Sequence, residues 1–354
     1  MSKTATANTA NKANIVILGA GSIGCYLGGC LLSIGANVTL IGRARLKDQI
    51  ANSGLTLTDW RGRNTKLKPA DVNFTESAEV MASADYILVC VKSGDTQEAA
   101  SLIAQYEHRD SLKDNPVVIS FQNGVRNGRL LSECLPNHTV MKGMVPFNVL
   151  GQGNGHFHCG TEGDLCIEDK SGQAKNLVGL LEMANLPVKV FKDLSSVQWG
   201  KLLMNLNNAV NALSGRPLLE QLNDSAYRKV MAVVLKEALA TMKAAGIEPA
   251  KTGKVVPKLM PYIMSLPNFL FKKVAAATLK IDPQARSSMY EDLALNRKTE
   301  VDYLNGEIVA LGEAYHVSTP ANTAILKLIK AAESASDGSP MLSAAALQQA
   351  IAVN

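Results

Sequence analysis

Several features are scarce or absent in this chain of 354 residues. Lys and Arg are scattered, without a long basic run or interleaved aromatic residues, so the net charge of +5 does not indicate a nucleic-acid partner. The apolar runs are too short, or too interrupted by charge, to span a bilayer, and no membrane partner is expected. Residues 1–13 lack an apolar segment and are predicted to form a disordered tail rather than a signal peptide.

Metal-binding and disulfide patterns are also missing. None of the six cysteines forms a C-x-x-C pair, and Cys25, Cys30 and Cys90 lie in apolar segments. They are predicted to be buried, reduced thiols, and the expected location is the cytoplasm. His156 and His158 would share one face of a strand, but no further ligand cluster accompanies them, so no metal site is predicted.

The composition instead suits an ordinary globular protein. Apolar residues make up 47% of the chain and charged residues 19%, so a sizeable core is expected. The length is enough for two domains. The slightly positive net charge suits anionic ligands.

One stretch, Asn14 to Arg43, organises the first half of the chain. A short apolar run precedes a full G-x-G-x-x-G at 19–24, an apolar helical segment follows to about Ile34, and a second strand covers 37–41. This order predicts a β-turn-α-β unit that binds a dinucleotide, because the glycines permit a tight turn, close approach of a pyrophosphate and close helix packing. The helix N-terminus would attract the phosphates.

The α/β pattern continues to about residue 192. Further apolar runs predict strands that end near Val91 and Phe121, and the glycines at 151–155 predict a hairpin. We therefore expect a doubly wound Rossmann-type sheet over residues 14–192, with ligands at the carboxyl ends of its strands.

From residue 193 to 354 the sequence predicts a mostly α-helical domain. Helical periodicity runs over 195–213, and an amphipathic helix over 225–245 is expected to be capped by Asp224 and stopped by Gly246. Prolines interrupt the helical segment at 250–273, Pro320 begins another helix, and 339–352 forms a short one.

The end of the second strand indicates which cofactor is bound. An NAD-preferring site has Asp or Glu there, about 20 residues past the glycines, to hold the ribose 2′-hydroxyl. This chain has Gly42-Arg43 instead. A guanidinium suits a 2′-phosphate, so NADP(H) is expected.

A lysine and an asparagine lie four residues apart in an otherwise apolar helical stretch. Lys201 and Asn205 would share one helix face. An ammonium there can protonate an alkoxide that forms when hydride attacks a ketone. Spacing alone leaves open the alternative that Lys201 extends its amine from a helix edge into water.

Together these motifs resemble the ketopantoate reductase family, also called 2-dehydropantoate 2-reductases. The resemblance runs from Asn14 to about Ile329. The motifs are the glycine loop at 19–24, Lys92 after a strand, Gln122-Asn123-Gly124, Trp199-Gly200-Lys201 with Asn205, Ser287-Ser288-Met289, and Thr299 to Gly306.

The resemblance implies reduction of a 2-oxo acid with NADPH, namely 2-dehydropantoate to (R)-pantoate on the route to pantothenate. It implies that Lys201 is the general acid and that Glu300 organises the site. The implied substrate-binding residues are Asn123, Asn205, Asn211 and Ser288. The implied cofactor-binding residues are Gly19, Ala20, Gly21, Ser22, Ile23, Gly24, Arg43, Lys92 and Asn123. The partners expected are a small 2-oxo acid and, as an assembly, a homodimer.

This chain also departs from the family pattern. The second substrate asparagine usually follows the first by four residues, whereas Asn211 follows Asn205 by six, so Asn208 and Asn211 compete for that role. Two alternatives stay open: a reductase of another branched or aromatic 2-oxo acid, and a non-catalytic NADP(H)-sensing regulator. Retention of Lys201, Asn205, Ser288 and Glu300 together argues against the regulator.

The spacing of Ser288 and Glu300 makes a structural prediction. They are 12 residues apart, which on one straight helix is roughly 18 Å, longer than a pantoate-sized ligand. If both serve one substrate, the helix must break between them. The predicted break is at 296–298, with a new helix capped by Thr299 and a capping-box carboxylate from Asp302.

Overall fold

The computed structural model describes residues 13–107, 115–251, 256–275 and 283–352. The chain divides into two compact units, the first ending at Leu194 and the second beginning at Ser195. The expected disordered tail lies outside the described residues except for Ala13, which is buried. Within the described ranges, no helix combines the length and the apolar character that crossing a membrane requires.

The first unit contains strands and helices in alternation. Its strands are β1 Asn14–Leu18, β2 Asn37–Ile41, β3 Leu55–Asp59, β4 Asn64–Leu67, β5 Asn73–Thr75, β6 Tyr86–Val89, β7 Val117–Ser120, β8 Val140–Met144, β9 Val149–Gly153, β10 His156–Cys159, β11 Leu165–Glu168 and β12 Val188–Phe191. Its helices are α1 Ser22–Leu32, α2 Ala44–Ser53, α3 Thr96–Gln105, α4 Asn127–Cys134 and α5 Lys175–Met183.

Eight strands form the main sheet, in the order β12-β11-β8-β7-β6-β1-β2-β5. Strands β8 to β5 of this order pair in parallel, and β11 pairs antiparallel to β8. Strand β1 is central and buried on both faces: Ile15 and Ile17 join one apolar cluster, Val16 and Leu18 the other. Side chains alternate along a strand, so a continuous apolar run is what a sheet covered on both faces requires. The predicted doubly wound fold is confirmed.

A smaller sheet has the order β4-β3-β10-β9. The predicted glycine hairpin joins β9 to β10, where Gly153, Asn154 and Gly155 all have positive φ. His156 Nε2 and His158 Nδ1 lie 2.9 and 2.8 Å from the Thr58 hydroxyl, so the two histidines share a face as strand alternation predicts.

The second unit is helical, and the described residues from 195 to 352 include no strand. Its helices are α6 Ser195–Asn205, α7 Asn207–Ser214, α8 Leu218–Asn223, α9 Ser225–Ala244, α10 Met260–Met264, α11 Asn268–Ala275, α12 Ser288–Ala294, α13 Asn305–Ala314, α14 Pro320–Ala335 and α15 Ala344–Ala352.

Helix α9 behaves as its end signals predict. The Asp224 carboxylate accepts a hydrogen bond from the Ala226 amide at 2.8 Å, and Gly246 follows the helix with a φ of +70°. The side chain satisfies a helix amide that has no intrahelical partner, and glycine adopts the left-handed conformation without a Cβ clash. Both predicted end signals are confirmed.

The predicted break between Ser288 and Glu300 is present, although its details differ. Helix α12 ends at Ala294, Asn296 has a φ of +50°, and a 3₁₀ turn covers Val301–Tyr303 before α13. Thr299 Oγ1 accepts from the Val301 amide at 3.2 Å, as a cap should.

The capping box predicted for Asp302 is wrong. Its carboxylate pairs with the Lys330 ammonium on α14 instead. An ammonium is a stronger partner for a carboxylate than a neutral amide, so the distant charge wins over the local cap.

Candidate active site

The glycine loop connects β1 to α1 at the carboxyl end of the sheet. The amides of Gly19 and Ala20 donate to the Ile41 carbonyl at 3.1 and 2.8 Å, which ties the loop to the end of β2. Helix α1 begins after Gly21 without a side-chain cap. The amides of its first turn have no intrahelical acceptors, and this arrangement suits an anionic oxygen.

Two glycines of the loop, Gly19 and Gly24, are required by close contacts within the protein, whereas Gly21 borders open space. A Cβ on Gly19, whose φ is +104°, would lie 2.6 Å from the Val91 amide nitrogen. A Cβ on Gly24 would lie 2.2 Å from the Gly19 carbonyl oxygen, so only glycine lets α1 pack this closely. No heavy atom lies within 4 Å of a Cβ built on Gly21. The open space beside Gly21 leaves room for a ligand to approach the backbone, which is the role that the fingerprint gives this glycine.

Ser22 and Ile23 are the first residues of helix α1, and both are partly exposed. Ala20, in the glycine loop before the helix, is buried. Arg43 follows β2, the neighbour of β1, and occupies the N-cap position of α2, where its side chain makes no capping hydrogen bond. Arg43 is exposed, and within the described parts of the chain it has no ion-pair partner. Its guanidinium is therefore available to an anionic ligand.

Lys92 and Asn123 lie in the loops that follow β6 and β7. A buried network of hydroxyl and amide groups fixes the backbone of these loops. The Ser93 hydroxyl donates to the Asn123 carbonyl at 3.0 Å and accepts from Asn127 Nδ2 at 3.0 Å. Gln122 Nε2 donates to Thr96 Oγ1 at 2.8 Å. Because β6 and β7 are adjacent, the network links the two loops that carry the predicted cofactor residues.

In the second unit, Lys201 and Asn205 lie one turn apart on α6. Both are partly exposed, whereas their neighbours Leu202 and Leu203 are buried. The helix ends at Asn205, and α7 starts two residues later. The break separates the α6 pair from the asparagines of α7.

Asn211 lies in the interior with 0% exposure. Its Oδ1 accepts from the Ser287 amide at 2.9 Å, and its Nδ2 donates to the Arg216 carbonyl at 2.9 Å. Gln221 Oε1 lies 3.4 Å from the same Nδ2. The neighbouring Asn208, by contrast, is partly exposed. These contacts give Asn211 a role in joining α7 to the start of α12.

Ser288 is the first residue of α12 and is exposed, whereas Ser287 before it is buried. The Ser287 hydroxyl accepts from the Tyr290 amide at 3.2 Å and donates to the Asn208 carbonyl at 3.0 Å. Ser287 therefore anchors the helix start that presents Ser288. Glu300 is partly exposed and directly precedes the 3₁₀ turn.

Among the residues that the structure describes, the remaining reactive side chains do not form a second centre. All six cysteines are free thiols. Burial raises the pKa of Cys30 to about 12, so this thiol is uncharged at neutral pH and is a poor nucleophile or metal ligand. No three potential metal ligands cluster within the ranges that the structure describes.

Sequence reasoning missed the residues that support the site. Ser93, Thr96 and Asn127 hold the two loops of the first unit, and Ser287 holds α12. A local signal was present for Ser287, since serine is a favoured residue just before a helix. No local signal identifies the loop network, because its members lie in two segments that follow different strands of the sheet.

Replacing Gly24 with alanine should distort the glycine loop at 19–24. The new Cβ would meet backbone, which cannot rotate away, so we expect a lower melting temperature and weaker binding of a nicotinamide dinucleotide, measured by thermal scanning and by fluorescence of the reduced cofactor. Gly179→Ala is the matched control, because no atom lies within 4 Å of its added Cβ. Equal melting temperatures for the two variants would contradict this account of the loop.

Replacing Asn211 with alanine should destabilise the second unit. The change leaves the Ser287 amide and the Arg216 carbonyl without their partner, which costs about 1–3 kcal/mol for buried groups. Chemical denaturation measures the loss. Asn208→Ala, on the same helix but partly exposed, should change stability little. An Asn211→Ala protein as stable as wild type would show that these contacts are dispensable.

Two family models match the chain in succession. The model described as ketopantoate reductase PanE/ApbA matches residues 15–172, and its C-terminal counterpart matches residues 193–333. A 2-dehydropantoate 2-reductase from Archaeoglobus fulgidus is 27% identical over 329 residues, which covers 90% of this chain and 98% of that protein.

Solved structures share the fold of this chain. A PanE/ApbA family ketopantoate reductase from Ralstonia eutropha JMP134 has a TM-score of 0.75 and 29% identity, covering 91% of this chain and 99% of that one. D-mandelate dehydrogenase, in a ternary structure with NADH and anilino(oxo)acetate, shares the fold at a TM-score of 0.74 and 22% identity, covering 92% and 99%. With family models matching both units, the chain belongs to the ketopantoate reductase family.

Proposed function

We propose that this protein reduces 2-dehydropantoate to (R)-pantoate with NADPH. The observation that carries the proposal is the Lys201–Asn205 pair, one turn apart on α6 among buried leucines, in a chain whose two units both match the family. The A. fulgidus relative, which bears the name of this activity, aligns with nearly the whole chain. The family implies a nicotinamide cofactor, and the choice of NADPH rests on Arg43.

The first unit has groups that fit such a cofactor. The uncapped start of α1 and the open space beside Gly21 suit a pyrophosphate. Arg43, at the end of β2, would bind a 2′-phosphate through its guanidinium. Lys92 and Asn123, after β6 and β7, would contact the cofactor, and Asn123 would lie between nicotinamide and substrate.

The second unit supplies the groups for the ketone. When bound, the reduced nicotinamide supplies a hydride to the ketone carbon. The Lys201 ammonium donates its proton to the oxygen of that carbonyl as negative charge develops there. Asn205, one turn away, orients the same substrate by hydrogen bonding, and Ser288 binds its carboxylate. Glu300 organises the site from the start of the 3₁₀ turn.

For the second substrate asparagine we propose Asn208 in preference to Asn211. Asn211 is fully buried, and both atoms of its amide group have partners within the protein. A ligand could reach it only by displacing the Ser287 amide or the Arg216 carbonyl. Asn208 is on the same short helix and is partly exposed.

A second candidate function is reduction of another branched or aromatic 2-oxo acid. The observation that favours it is the withdrawal of Asn211 into the interior, since this position helps to determine which acid fits. NADPH oxidation measured with a panel of 2-oxo acids, including 2-dehydropantoate, separates the two candidates. A protein that binds NADPH but oxidises it with none of these acids would favour the alternative of a non-catalytic sensor. The homodimer and the cytoplasmic location stay predictions.

Lys201→Ala should lower kcat by about 10²-fold or more, because a general acid contributes on that scale. NADPH binding, measured by fluorescence, should be unchanged. Lys229→Ala removes an exposed lysine from α9 and serves as the control. A near-normal kcat for Lys201→Ala would show that water or another group donates the proton.

Arg43→Asp should weaken NADPH binding far more than NADH binding. The carboxylate repels a 2′-phosphate but can accept from a ribose 2′-hydroxyl. Dissociation constants for both cofactors test this, and Lys66→Asp makes the same charge change at an exposed position of the smaller sheet. If wild type binds the two cofactors equally and Arg43→Asp alters neither, Arg43 is only a surface residue.

A further inference from the structure

The segment before the 3₁₀ turn is anchored by a carboxylate from α14. Thr299 is 8% exposed, and its amide and hydroxyl both donate to Glu333 Oε1, at 2.7 and 2.6 Å. The Glu333 side chain is 12% exposed. Two short hydrogen bonds to one shielded carboxylate oxygen are among the stronger contacts that a neutral donor can make.

A second anchor lies just beyond Glu300. The Asp302 carboxylate pairs with Lys330, whose ammonium is also 3.5 Å from Glu333 Oε2. Burial lowers the pKa of Lys330, but the hydrogen bond with Asp302 and the charge of Glu333 outweigh it, and the net pKa is raised. Lys330 therefore stays charged and links the two carboxylates.

The anchored segment has little helical support of its own. Asn296 has a positive φ, and Leu304, between the 3₁₀ turn and α13, has a φ of −116° and a ψ of −89°. Irregular backbone has few hydrogen bonds within itself and depends on partners from elsewhere. Here α14 supplies one partner for the backbone amide of Thr299, just before Glu300, and one for the side chain of Asp302, two positions after Glu300.

We propose that Glu333 is a positioning residue, which holds Glu300 in its working place by fixing the backbone at Thr299. The inference rests on the proposed function, in which Glu300 organises the site. Glu333 need not touch the substrate. Its removal would release the backbone of Thr299 and let the side chain of Glu300 move. Displacement by about 1 Å can cost as much as 10²-fold in rate.

Two measurements on the full-length protein test the proposal. The first is amide hydrogen exchange in peptides that cover residues 297–305, which needs no turnover. Glu333→Ala should exchange about tenfold faster there, as expected for lost hydrogen bonds to a charged group. Glu313→Ala, which removes an exposed carboxylate from α13, should leave exchange unchanged.

The second measurement is a double-mutant cycle that combines Glu333→Ala with Glu300→Gln and compares kcat/KM. Glu333→Ala alone should lower kcat/KM by at least about tenfold, yet add almost nothing in the Glu300→Gln background, because both changes act through one side chain. Glu333→Gln keeps an acceptor oxygen and should recover part of the rate. NADPH binding should be the same in every variant.

The outcomes separate the two proposals. Unchanged exchange in Glu333→Ala, or effects that multiply in the double variant, would overturn the positioning role while leaving the proposed activity intact. If wild type reduces none of the 2-oxo acids, the proposed function fails, and the positioning role fails with it even when exchange is faster.

Discussion

Backbone packing beneath helix α1 is the constraint on which the first unit depends. A Cβ on Gly24 would lie 2.2 Å from the Gly19 carbonyl oxygen, and a Cβ on Gly19 would strike the backbone of Val91. Contacts this close bring the start of α1 directly over the ends of β1 and β6. The helix amides and the loops after the neighbouring strands then face the same edge of the sheet, where a dinucleotide of this family would bind.

Elements that local chemistry specifies could be predicted from the sequence. The apolar run at β1, the glycine loop, the hairpin at 153–155 and the Asp224 cap each depend on residues a few positions apart. The helix break after α12 was also predictable, because two residues 12 positions apart cannot serve one small ligand from a straight helix. Even so, β6 ends at Val89 rather than Val91, although the Cys90 amide still donates to the Leu18 carbonyl of β1 at 2.8 Å.

Interactions between distant positions explain what could not be predicted. Asp302 would complete a capping box if its neighbours alone mattered, but Lys330, 28 positions along the chain, takes its carboxylate. Asn211 matched a substrate-binding position in the family, yet its amide oxygen binds the Ser287 amide 76 positions away. In both cases a residue from a distant part of the chain binds the side chain, and no short sequence window contains both partners.

The two units support their predicted site residues with different chemistry, and electrostatics gives the reason. Around Asn123 the supports are Ser93, Thr96 and Asn127, which are neutral at any pH that a cell experiences. A carboxylate in their place would repel a polyanionic cofactor. Around Glu300 the supports are charged, and Lys330 between them has a raised pKa. A raised pKa means that the contribution of Lys330 to stability is complete below the ordinary lysine pKa and is lost only as the pH rises past the folded-state value. Lys330 therefore stays protonated throughout the physiological pH range. The charged residues that support Glu300 can hold it at neutral pH, and its position does not change with pH through Lys330.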